Sequence, residues 1–99
     1  MPSGMAFLLR RKRKEIESME NRIAAVSVIV EDPESVETLN SILHGYSAYV
    51  IGRMGIPYRE KGVSVICLVL DAPTDTVNAL TGKLGRLNGI TARAVYSQK

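Results

Sequence analysis

Two segments of helical period, four short apolar runs and their alternation along 99 residues predict an α+β domain of element order βαββαβ. An internal echo supports this order. Val26-Ser27-Val28-Ile29 recurs as Val63-Ser64-Val65-Ile66, and each run leads through an acid and a proline, Pro33 or Pro73, into a helical segment. Two such halves fit the ferredoxin-like arrangement, a four-stranded antiparallel sheet with right-handed crossovers and both helices on one face.

The first strand is placed over residues 22–31, RIAAVSVIVE, by its density of Val and Ile. Asp32 then offers a side-chain oxygen to an otherwise unpaired N–H, and Pro33 occupies the first helical position without losing a bond. Val36, Leu39, Ile42 and Leu43 recur at helical spacing, with Gly45 as the expected stop. A second strand runs from Tyr49 to Ile56, and Glu60, Lys61 and Gly62 turn the chain into a third. That third run, Val63 to Leu70, places Val63, Val65, Cys67 and Val69 on one face and Ser64, Ile66, Leu68 and Leu70 on the other, so it reads as the central strand. Ala72-Pro73-Thr74-Asp75 opens the second helix, whose stripe is Val77, Leu80, Leu84 and Leu87. Gly82 and Gly85 each weaken that helix by up to ~1 kcal/mol relative to alanine, which predicts close packing against a neighbouring backbone. Asn88-Gly89 ends it, and Ile90 to Tyr96 forms the last strand.

Helices on one face leave the other face bare. The strands are apolar on both sides, so the bare face would be a patch that monomers avoid, and a homo-oligomer, dimer or tetramer, is expected to cover it.

At 45% hydrophobic and 23% charged residues, the chain has the composition of one small globular domain. No apolar run approaches the ~20 residues that span a bilayer, and the short MAFLL near the start is followed, not preceded, by positive charge. A cytoplasmic protein is expected. Cys67 is the one cysteine, which excludes a disulfide framework and a cysteine-based zinc site, and its apolar strand setting predicts a buried, inert thiol. The net charge of +3 is uneven: Arg10, Arg11, Lys12, Arg13 and Lys14 stand as a block in residues 1–21. Residues 1–21 therefore read as a flexible or partly helical basic extension, and 22–99 as the folded domain. The block could bind nucleic acid through counterion release, against the plainer reading of a solvated tail; Phe7 is its one aromatic neighbour, so base stacking is unsupported.

Catalytic constellations are absent from the sequence. His44 is the sole histidine, at the end of the first helix where an imidazolium favours the helix dipole, and one ligand makes no metal site. No Ser/His/Asp or Cys/His set forms, so neither enzymatic activity nor a cofactor is expected. The informative anomaly is Gly52-Arg53-Met54-Gly55-Ile56-Pro57, because glycine within a strand marks a bulge or the close approach of another molecule. Gly52 and Gly55 flank Arg53, which could anchor an anionic effector; the competing reading is a bulged edge strand at a subunit contact.

Residues 49–59, YVIGRMGIPYR, with the following EKGVSV and the LTGKLGR of residues 80–86, resemble the family of iron-only hydrogenase system regulators over about residues 22–97. That family is similar in fold to ACT domains and to the metal-sensing domain of nickel-responsive repressors, ferredoxin-like modules that associate through their sheets. The resemblance implies a regulatory or ligand-sensing module that binds a small effector or a protein partner, with transcriptional regulation as one role it would fit. Rival readings are a nucleic-acid-binding protein using Arg10 to Lys14 and a structural assembly factor. In ACT domains a glycine follows the first-strand Asp-Pro region where the effector approaches, which adds Asp32 to the candidate site; here Glu34 follows Asp32-Pro33. The nickel repressors use several histidines and a cysteine, whereas His44 and Cys67 stand alone.

Overall fold

A computed structural model describes residues 20–98. The elements are β1 (Asn21–Val30), α1 (Val36–Gly45), β2 (Val50–Tyr58), β3 (Val63–Pro73), α2 (Thr74–Gly85) and β4 (Ile90–Tyr96), with 3-10 turns at Pro33–Ser35, Ser47–Tyr49 and Arg59–Lys61. The sheet order is β2-β3-β1-β4 and every neighbouring pair is antiparallel, the ferredoxin-like order that the sequence predicts. The basic extension, with Arg10 to Lys14, lies outside the described residues. Among the described residues no helix is long and apolar enough to cross a membrane.

Strand alternation sorts the sheet into two faces. Ala24, Val26, Val28 and Val30 of β1, Ile66, Leu68, Leu70 and Ala72 of β3, and Ile90 and Ala92 of β4 are buried together with Leu39, Leu43, Val77, Leu80 and Leu84 of the helices. These residues form the core. Tyr96 closes it at one corner, where its hydroxyl donates to Asn78 Oδ1 at 2.7 Å. Burial raises the Tyr96 pKa above the ordinary tyrosine value of 10.0, so its stabilising contribution is complete below that value and fades as the pH climbs through the raised one.

Helix boundaries differ in detail from the sequence reading. Asp32 caps a 3-10 turn, not the α-helix itself: the Glu34 N–H donates to Asp32 Oδ1 at 3.0 Å and the Ser35 N–H to the Asp32 carbonyl at 3.1 Å. Gly45 ends α1 without a left-handed residue, since positive φ occurs only at Gly62 and Gly89 among the described residues. The chain passes directly from α1 through Tyr46 into the 3-10 turn, so no reversal of hand is needed.

The expected close packing at Gly82 and Gly85 is absent. A Cβ built on either meets nothing within 4 Å, because the buried stripe of Val77, Leu80 and Leu84 turns both glycines toward solvent. Gly82→Ala is therefore expected to stabilise the domain by about 0.5–1 kcal/mol. Thermal unfolding of the variant checks this; a melting temperature below that of the parent would show a hidden constraint at the position.

Gly89 is the glycine under constraint. Its φ is +70°, and a Cβ there would sit 2.5 Å from the Asp32 Cβ and 2.8 Å from the Asp32 backbone nitrogen. Around it the Asn88 side chain donates to Asp32 Oδ2 at 2.7 Å, Ser35 Oγ donates to the Asn88 carbonyl at 2.6 Å, and the Glu31 N–H donates to the Gly89 carbonyl at 2.7 Å. Three short bonds thus clasp the exit of β1 to the entry of β4.

Candidate functional site

Gly52, Arg53 and Gly55 lie on β2, an outer strand that pairs only with β3. Val50 faces Leu70 while Gly52 faces Val69, so Ile51 is the extra residue of a β-bulge and stands 63% exposed. The bulge sets the parity of the strand. Gly52, Met54, Ile56 and Tyr58 follow Val69, Cys67, Val65 and Val63 onto the face away from the helices, whereas Arg53, Gly55 and Pro57 follow Leu68, Ile66 and Ser64 onto the helix side. A Cβ at Gly52 or Gly55 meets nothing within 4 Å, so no close approach inside this chain requires either glycine.

On the helix side β2 is not covered, and Arg53, Gly55 and Pro57 remain exposed. The space between β2 and α1 is bridged by one bond, from Arg53 Nη2 to Asn40 Oδ1 at 3.2 Å, the only hydrogen bond of Arg53 among the described residues. That bridge divides two hollows. One, of about 340 Å³, is rimmed by Asn40, His44, Ser47 and Arg53 over a floor of Leu43, Val50 and Leu68. The other, of about 270 Å³, is mainly apolar, with Val30, Val36, Pro57 and Ile66 in its walls. Neither lining contains a carboxylate. A larger groove of about 680 Å³ runs between the helices, where Lys83 Nζ lies 5.0 Å from the centre of the Tyr46 ring and Asp75 supplies an opposing charge.

Asp32 is not brought to this site. It sits past the end of β1, clasped to Asn88 and Gly89 at the β4 side of the sheet, and its carboxylate is already used by the Asn88 side chain and the Glu34 N–H. Asn40 and Ser47, in contrast, belong to the Arg53 hollow and were not singled out from sequence. The available signal was the i, i+4 spacing of Asn40 and His44, which puts both on one helix face. His44 stands exposed in the last turn of α1. Among the described residues no group of three or more His, Cys, Asp and Glu side chains could hold a metal ion.

Cys67 is only half-buried. Its parity places it on the face away from the helices, between Met54 and Ser27, and not in the buried layer with Ile66 and Leu68 as an inert core thiol would be. That open face is the second feature of note. Ile23, Met54, Ile56, Tyr58, Val69 and Val95 are all exposed on it, Val95 at 71%, while Asp71 and Arg93 are the only charged residues at its strand positions.

A family model of the TM1266-like type, described as "Iron-only hydrogenase system regulator, putative", matches residues 22–94. The chain belongs to this family. Among solved structures it is similar to the uncharacterized protein TM1266 from Thermotoga maritima, with a TM-score of 0.77 and 32% identity over 80% of this chain and 100% of that one. No functionally curated protein matches. The family match takes in both helices, the bulged β2 and the Arg53 hollow, while Arg10 to Lys14 fall outside it. The family description names a regulator and no reaction.

Proposed function

We propose that the chain is a regulatory module of an iron-only hydrogenase system, working in the cytoplasm as a homo-oligomer without enzymatic activity of its own and responding to a small effector or a protein partner. The family supplies the system. The observation that carries the assembly is the open sheet face, where six large apolar side chains are exposed around two isolated charges. Strands ~4.8 Å apart with ~3.3 Å per residue give four strands of seven or more residues a flat footprint of roughly 20 by 25 Å. Side-chain relief brings such a footprint near the ~800 Å² that each partner contributes to a standard interface. A second copy of the same face is the occupant that matches it: the patch is low in charge, as interface centres are, and a two-fold pairing satisfies both copies at once.

The regulatory part is tested in a host that carries an iron-only hydrogenase. Deletion of the gene is expected to change hydrogenase transcript level or activity, with restoration by the intact gene and not by a Val69→Glu allele. Unchanged hydrogenase output in the deletion strain under both inducing and non-inducing conditions would overturn the regulatory reading.

A further inference from the structure

We propose that the hollow between α1 and β2 binds a small organic carboxylate, with the Arg53 guanidinium as its anchor. Arg53 presents a planar fork of donors of which one is used, on Asn40, and no carboxylate lies in the walls to neutralise it. His44 and Ser47 add polar groups on the same rim, while Leu43, Val50 and Leu68 make the floor apolar. That combination selects a ligand with one anionic end and a short carbon body. At about 340 Å³ the hollow is at the small end of ligand sites, which run from ~300 to ~1,000 Å³.

The same lining excludes other ligand classes by charge. An α-amino acid would bring an ammonium with no acidic side chain to receive it, and a metal cation would meet Arg53 without an anionic ligand. Inorganic phosphate, a mixture of mono- and dianion near neutral pH, would find one permanent cation and an apolar floor in place of the several cations or backbone N–H groups that hold it elsewhere. The bulge at Ile51 is what points Arg53 into the hollow, since strand parity without it would turn Arg53 to the open face. Carboxylate binding would thus be sensed on the outer strand, whose opposite face carries Met54 and Ile56 of the patch proposed for self-association.

The role as a signal rests on the regulatory reading above; the binding is measured independently of it. The full chain is titrated by calorimetry, at constant ionic strength, with acetate, propionate, butyrate and pyruvate, and with alanine and phosphate as controls. Saturable binding of at least one carboxylate is expected, with alanine and phosphate at least about tenfold weaker, and Arg53→Ala should weaken that carboxylate at least about tenfold. Arg53→Gln, which keeps a polar stem but removes the guanidinium, guards against loss through misfolding and should lose the same affinity, whereas Arg86→Ala should retain it. No saturable carboxylate binding, equal binding of alanine or phosphate, or unchanged affinity in a folded Arg53 variant would overturn the proposal. Light scattering on the same samples separates the two readings, because an intact oligomer that ignores every carboxylate removes this site and leaves the assembly standing.

Discussion

Gly89→Ala is expected to cost about 3–5 kcal/mol, a large part of the ~5–15 kcal/mol that holds a small domain folded. A left-handed backbone costs an L-residue ~1–2 kcal/mol by itself. The remainder comes from the collision, because the new Cβ would lie 2.5 Å from the Asp32 Cβ and 2.8 Å from its backbone nitrogen, neither of which is the free end of a flexible chain. Relief requires moving Asp32 away from Gly89, which breaks the Asn88–Asp32 and Glu31–Gly89 bonds, each 2.7 Å long. Urea unfolding measures the loss, and a drop in melting temperature of roughly 15 °C or more should accompany it. A loss below ~1 kcal/mol would show that the clasp between β1 and β4 is soft.

Val69→Glu should convert the proposed oligomer to single chains while leaving the fold intact. Val69 lies on β3 beside Ala25 and Gly52, near the middle of the open face, and is 37% exposed in the isolated protomer. In that protomer the new carboxylate reaches water at little cost. Pressed between two apolar faces it would be an unpaired charge out of water, a penalty of several kcal/mol repeated in each copy of a two-fold interface. The dissociation constant should therefore rise by a factor of 100 or more. Sedimentation velocity with circular dichroism distinguishes the outcomes: an unchanged sedimentation coefficient with native dichroism would place the interface elsewhere.

The sheet was legible because its signals are local and redundant. The Val and Ile run of β1, the alternation of β3 and the turn residues at Gly62 each identify their element without the others, and the repeat of Val26 to Ile29 at Val63 to Ile66 supplies the two-half topology. Glycine roles were not legible in the same way. Gly82 and Gly85 were expected to pack closely and Gly89 only to end the helix, yet the first two face solvent and the third touches Asp32 across 57 positions, a contact that only the fold creates. The candidate site divides on the same line. The pairing of two glycines with Arg53 announced an irregular strand, and the bulge is there, but its parity effect, which sends Arg53 toward Asn40 and Met54 to the open face, depends on the register of β2 against β3. Asp32 was grouped with Arg53 by analogy of position after a strand, and two strands, β3 and β1, separate the edges on which they act.

Association through the open sheet face is the claim on which the functional account turns, and the mass of the intact chain in solution tests it most directly. Light scattering from low to high micromolar concentration should return a multiple of the 10.8 kDa protomer, twofold or fourfold. A mass of 10.8 kDa throughout that range would contradict the account, leaving Ile23, Met54, Ile56, Tyr58, Val69 and Val95 exposed with no second copy to cover them.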